Sequence, residues 1–177
     1  MDSKHQHSAP VLRFPVKGLM QPVEGGGFVA AGARVMADVT LGEDAGIWFG
    51  CVVRGDDAPI RIGARTNIQD GTIVHADPGV PNEIGSGVTV GHRCVLHGAK
   101  IGDNCLIGMG AILLGGCEIG AESLIGAGAV VKENMIVPPR SLVVGIPGRI
   151  VRSITDEEAA SFQESAAGYV KQIRLYL

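Results

Sequence analysis

Aliphatic residues recur every six positions along most of the chain. The series runs Val35, Leu41, Ile47, Val53, then Ile62, Ile68, Val74, then Ile84, Val90, Leu96, and finally Ile101, Ile107, Leu113, Ile119, Ile125, Val131, Val137 and Val143. A period of six is neither the 3.6 of an amphipathic helix nor the 2 of an ordinary strand, so it reads as one short strand plus one turn per repeat. The residue after the aliphatic is often glycine, as at Gly42, Gly63, Gly85, Gly91, Gly102, Gly108, Gly120 and Gly126. Four positions after the aliphatic the residue is small, as at Ala45, Cys51, Thr66, Thr72, Cys94, Cys105, Ala111, Cys117, Ser123 and Ala129.

Three such hexads, about 18 residues, close one triangular coil, and coils stack at the inter-strand spacing of roughly 4.8 Å. Residues 29–149 accommodate about six or seven coils, a prism on the order of 30 Å long. The aliphatics then form continuous ladders inside a narrow interior. That interior explains a chain of 177 residues that is 46% hydrophobic yet only 4% aromatic, with 27 glycines. Cys51, Cys94, Cys105 and Cys117 fall on the small inward position and read as buried space-fillers. None forms a CxxC pair, which argues against a zinc ribbon or a redox dithiol.

The domain reading is a tail at 1–10 expected to be disordered, where His5 and His7 fall by chance, a β-helix at 11–150, and a helix at 151–177. Thr155 and Glu158 form a capping box, and Phe162, Ala166, Tyr169, Val170, Ile173 and Leu177 lie on one side at helical spacing. Such a helix is expected to pack on the prism or on a neighbouring subunit. The net charge of −3 gives no general attraction to nucleic acid or an anionic membrane. No stretch approaches the roughly 20 apolar residues of a membrane span, and the start of the chain has no apolar signal core. Neither nucleic acid nor membrane is expected as a partner, and the expected location is the cytoplasm.

Histidines supply the candidate chemistry. His75 follows Val74 and His97 follows Leu96, so both point outward. If residues 76–83 are a loop inserted at a corner, Val74 and Leu96 share a face in adjacent coils and the two imidazoles stack one strand spacing apart. His92 lies two past Val90, at a corner, where it can press on the face of another prism. The reading is a metal held by His75 and His97 with His92 of a neighbouring copy. Solvated residues or plain interface contacts are the alternative. Arg54, Asp56, Asp57, Asn67, Gln69 and Asp70 cluster in the two coils around His75, and this concentration favours a site.

The segments "RGD" at 54–56, "NIQDG" at 67–71, His75, "GHRCVLHG" at 91–98, "IGMGA" at 107–111 and "VVGIPGR" at 143–149 together resemble the γ-class carbonic anhydrase family of hexapeptide-repeat proteins. The resemblance implies an all-β fold, a left-handed parallel β-helix with a C-terminal α-helix. It implies a homotrimer with zinc or ferrous iron at each subunit interface, held by His75 and His97 of one subunit and His92 of the next. The implied activity is reversible hydration of carbon dioxide to bicarbonate by a metal-bound hydroxide. By the same resemblance Arg54 and Asp70 form a salt bridge across the interface, Gln69 orients the bound water, and Asp56 and Asn67 support it. Tyr169 matches a tyrosine near the site, and Asp57 is the candidate proton acceptor.

Two departures stand out. Asp57 replaces a glutamate of the best-characterised branch, and the short "ADPGVPNE" replaces its long acidic loop with its proton-shuttling glutamate, so the shuttle role is not assigned to Glu83. Slow or latent hydration, hydrolysis of another small electrophile such as a thioester, a hexapeptide acyltransferase and a non-catalytic trimeric scaffold are the competing readings.

Overall fold

A computed structural model describes residues 15–177, and the expectations for residues 1–10, His5 and His7 lie outside that range. The six-residue period becomes three parallel ladders. On the first face Val29, Ile47, Ile68, Val90, Ile107, Ile125 and Val143 stack in register. The second face stacks Val35, Val53, Val74, Leu96, Leu113 and Val131. The third stacks Leu41, Ile62, Ile84, Ile101, Ile119 and Val137. These side chains fill one continuous core, Ile47, Ile68, Val74, Leu96 and Leu113 among them at 0% exposure.

The turns have a rule that the aliphatic spacing does not reveal. The residue three past the ladder position takes a positive φ, near 57° at Asp44, 56° at Arg65, 59° at Arg93 and 54° at Asn104, and the same slot is filled by Gly50, Gly71 and Gly110 elsewhere. This left-handed residue bends the chain through most corners; after Val35, Val53, Val74 and Leu96, on the second face, that slot is not left-handed. The glycines just past the ladder serve another purpose, since a Cβ on Gly108 would lie 2.5 Å from the backbone nitrogen of Ala127 in the next coil. Adjacent coils are too close there for any side chain. At the small inward position, the cysteines do more than fill space. Cys51, Cys94 and Cys105 are fully buried, and their thiols donate to the carbonyls of Gln69, Gly108 and Gly120 at 3.1, 3.2 and 3.2 Å.

Antiparallel strands cover both ends of the first-face sheet. Met20–Pro22 pairs with Phe28–Ala30, and Ser141–Val144 pairs with Arg149–Ser153. Such strands occupy the edges that a stack of parallel coils would leave unpaired.

The helix Asp156–Tyr176 starts at the expected capping box, with Glu158 N–H donating to Thr155 Oγ1 and Thr155 N–H donating to the Glu158 carboxylate. It lies on the first face of its own prism. Phe162 and Ala159 pack with Ile154 against Leu106, Leu124 and Leu142, and Ile173 packs with Met20, Phe28, Ala30 and Trp48. Leu177 departs from the sequence-based stripe, being 42% exposed. Among the described residues no helix is long and apolar enough to cross a membrane.

Candidate metal centre

On the second face the residues that follow the ladder form an outward column: Met36, Arg54, His75, His97, Leu114 and Lys132. His75 and His97 are direct register partners on parallel strands, their ring centroids 5.5 Å apart. The stacking inferred from spacing is therefore present. Asn82 fixes it from behind. Wholly buried in the 76–83 insertion, it donates from Nδ2 to the His75 carbonyl at 2.8 Å and accepts from the Ala99 N–H at 3.0 Å. Gly98 N–H donates to the same His75 carbonyl. Sequence reasoning missed Asn82, since nothing in a polar loop distinguishes an asparagine that turns inward.

Both insertions fall at the corner between the second and third faces. The earlier one, inside the continuous strand Val52–Ile62, brings acids to the histidine. Asp57 Oδ2 lies 3.1 Å and Asp56 Oδ1 3.3 Å from His75 Nε2. Arg54 reaches Asp56 at 2.6 Å and Asp57 at 3.7 Å. The Arg54 guanidinium holds the Asp56 carboxyl below the usual carboxylate range. Ligand atoms of Asp56, Asp57 and His75 lie within 4.8 Å of one another, a spacing compatible with one cation.

His92 sits apart, at the corner between the first and second faces. Its Nδ1 meets Asp70 Oδ2 at 2.9 Å, while Asp70 Oδ1 accepts from the Phe49 N–H at 3.2 Å. A carboxylate on Nδ1 favours the tautomer with the proton there and leaves Nε2 as an open acceptor, the arrangement common behind metal-ligating histidines. Within one chain Asp70 thus engages His92, and Arg54 engages Asp56 and Asp57.

The remaining candidates belong to the first face. Thr89 Oγ1 takes a hydrogen bond from Asn67 Nδ2 at 3.0 Å, so Asn67 Oδ1 is the acceptor for Gln69 Nε2 at 3.1 Å. Asn67 and Gln69 are 1% and 5% exposed. This relay orients the Gln69 amide. Tyr169 stands edge-on to Trp48 with centroids 5.3 Å apart, and burial, with the charge of Asp70 adding to it, raises its phenol pKa.

The residues that cluster in sequence therefore separate into two sets. Arg54, Asp56, Asp57, His75 and His97 belong to the second face and its insertions. Asn67, Gln69, Asp70, His92 and Tyr169 gather on the first face and its corner. A groove of about 660 Å³ runs along the third face past Gly63, Gly85, Gly102 and Gly120, and none of the candidate site residues lines it.

Comparison with known proteins follows this geometry. Residues 98–133 match the family described as bacterial transferase hexapeptide (six repeats). A protein of Methanocaldococcus jannaschii named probable carbonic anhydrase is 51% identical over 143 residues, covering 81% of this chain and 90% of that one. The mitochondrial gamma carbonic anhydrase 2 of Arabidopsis thaliana is 39% identical over 84% of this chain and 56% of its own. Among solved structures, a hexapeptide transferase family protein from Anaplasma phagocytophilum superposes with a TM-score of 0.80 at 39% identity, covering 88% of this chain and 92% of that one. With two sets of site residues on a hexapeptide β-helix and relatives of this identity over most of its length, the chain belongs to the γ-class carbonic anhydrase family of hexapeptide-repeat proteins.

Proposed function

We propose that this chain is a γ-class carbonic anhydrase-like metalloenzyme that interconverts carbon dioxide and bicarbonate at a metal shared between copies of a homotrimer. The observation that carries the reading is the split itself. One chain presents two stacked histidines on a face and a third, with its Nδ1 already held by a carboxylate, on a corner. A corner cannot fold onto its own face, but it can meet the face of the next copy, and three such contacts close a ring. His75 and His97 with His92 of the partner subunit would hold the ion, zinc or ferrous iron, both of which suit imidazole ligands. A divalent ion held by neutral imidazoles acidifies the water it binds and so makes a nucleophile available near neutral pH.

The chain's own residues divide the remaining work. Gln69, with its Nε2 committed to Asn67, presents its carbonyl oxygen as an acceptor that orients the nucleophile. Asp57, 46% exposed and beside His75, is the acceptor that passes a proton on to solvent. Arg54, which pairs with Asp56 and Asp57 within the chain, would add Asp70 of the partner subunit across the interface while Asp70 keeps His92 Nδ1. A metal-free acyl transfer, in which His75 held by Asp57 acts as general base, is the second reading supported by an observed contact.

Mixing subunits separates them. His92→Ala and His75→Ala proteins, each expected to bind little metal alone, should recover bound metal and hydration activity when unfolded, mixed and refolded together. The mixed trimers then contain interfaces with all three imidazoles. No recovery in mixed trimers would overturn the shared site.

A further inference from the structure

The first-face column just before the ladder changes character along the prism. Its register partners run Leu142, Leu124, Leu106, Thr89, Asn67 and Gly46, apolar at one end and polar toward the other. The helix Asp156–Tyr176 lies along this column, and residues three apart on a helix advance about 4.5 Å, close to the roughly 4.8 Å between coils. Ala159 and Phe162 cover the leucines, Ser165 falls on Thr89, and Ile173 reaches Gly46, where a Cβ would lie 2.8 Å from its Cδ1. The helix thus supplies a hydroxyl at the height where the prism wall turns polar. Thr89 and Asn67 are both buried there. We propose that Ser165 is a positioning residue: its hydroxyl, acting through Thr89 and Asn67, fixes which end of the Gln69 amide is presented to the site. This rests on the metalloenzyme reading and extends its site to the C-terminal helix.

The direction of each link follows from its protons. The Thr89 hydroxyl donates to Ser165 Oγ at 3.4 Å. With its proton so placed, Thr89 Oγ1 acts as an acceptor and takes the Asn67 Nδ2 at 3.0 Å. The Val88 carbonyl, 3.5 Å from the same Nδ2, supports that orientation. Asn67 then offers Oδ1 to its other neighbour, and Gln69 answers with Nε2 at 3.1 Å, which leaves its own Oε1 as the acceptor at the site.

An amide has a donor end and an acceptor end, and a hydroxyl has one proton to give, so the chain reads in one sense or in the opposite one. Without the Ser165 oxygen, the Thr89 proton turns to Asn67 Oδ1. Asn67 Nδ2 then faces Gln69, Gln69 answers with Oε1, and its NH2 group takes the place of the carbonyl. A change on the helix, three hydrogen bonds away, converts the acceptor at the site into a donor.

The test reads the amide itself beside the activity. Nuclear magnetic resonance on full-length protein with isotope-labelled glutamine side chains, zinc-loaded and metal-free, reports the Gln69 Nε2 protons, assigned by their loss in Gln69→Glu. Ser165→Ala should move that signal and speed its exchange with solvent, because Nε2 no longer donates to buried Asn67. Carbon dioxide hydration by the zinc-loaded variant should lose kcat by about fivefold, the equivalent of one neutral hydrogen bond, with KM unchanged. Alanine is the better helix former, so a serine that served only the fold would be replaced without loss. Ser165→Thr keeps the hydroxyl and should restore both readouts. Thr89→Val added to Ser165→Ala removes the misplaced proton, and the Gln69 signal should return toward its wild-type position. A Gln69 signal unchanged in Ser165→Ala, or a change that Ser165→Thr does not reverse, overturns the inference. A wild-type protein without hydration activity overturns the proposed function, while the Gln69 signal still decides the relay by itself.

Discussion

Replacing Asn82 with alanine tests how the fold builds the site. The side chain is 0% exposed and bridges the strand of His75 to the turn after His97. Truncation leaves the Ala99 N–H without an acceptor at a wholly buried position, whereas the His75 carbonyl keeps the Gly98 N–H at 3.1 Å. One orphaned buried donor costs about 1–3 kcal/mol, and one further lost hydrogen bond about 1 kcal/mol. The expected total is about 2–4 kcal/mol. Asn82→Asp restores an acceptor for Ala99 but sets a carboxylate oxygen against the His75 carbonyl, so it should not rescue. Glu83→Ala next door removes only an exposed contact to Lys100 and should stay within about 0.5 kcal/mol of wild type. Urea unfolding at fixed chain concentration, followed by far-ultraviolet circular dichroism, reads the loss. Metal titration should show weaker binding by the same protein. An Asn82→Ala protein as stable as Glu83→Ala, with unchanged metal affinity, would refute the idea that this side chain sets the spacing of the histidines.

Burial pushes the thiols of Cys51 and Cys94 up to about 11 and those of Cys105 and Cys117 to about 12, so a thiol reagent at pH 8 should label none of the four until the protein is unfolded. Labelling of native protein at stoichiometric speed would contradict their placement. Glu158 is held down at about 2, by Arg152 first and the Thr155 N–H next. A depressed carboxyl pKa contributes stability that is complete above the ordinary value of 4.5 and is lost as pH falls toward 2. The stability gap between wild type and Glu158→Gln should therefore be constant at neutral pH and shrink across that acidic window. A gap independent of pH would contradict the pairing. Arg54→Ala should weaken the trimer by removing the partner of Asp70 across the interface, and sedimentation unchanged at low chain concentration would count against that bridge.

Much of this was legible because a hexad ladder converts sequence spacing into position. Counting from Val74 and Leu96 is enough to stack His75 on His97, provided 76–83 is set aside as an insertion; the register bears out the stacking, but Asn82 and Glu83 of that segment belong to the third-face strand, paired with Ile60 and Arg61. The same count puts His92 on a corner. What it does not give is anything the ladder does not index. The turn slot accepts Asp44, Arg65, Asn104 and glycine alike, so its common left-handed backbone leaves no single residue signature. Arg149–Ser153, exposed along its length, has no inward alternation to betray a strand. Asn82 is invisible because its partners are backbone groups, one in its own coil and one in the next. The helix stripe was readable, but its docking on the first face depends on Trp48, Leu106 and Leu124, which the six-residue pattern treats as ordinary outward positions.

The most direct measurement is stopped-flow carbon dioxide hydration on protein whose metal content is determined in the same preparation, loaded with zinc or anaerobically with ferrous iron, as wild type and as His92→Ala. Hydration proportional to metal occupancy, and lost together with the metal in a folded His92→Ala protein, is the expected result. Full occupancy without hydration would contradict the assigned activity, and full occupancy retained in His92→Ala would contradict the shared site.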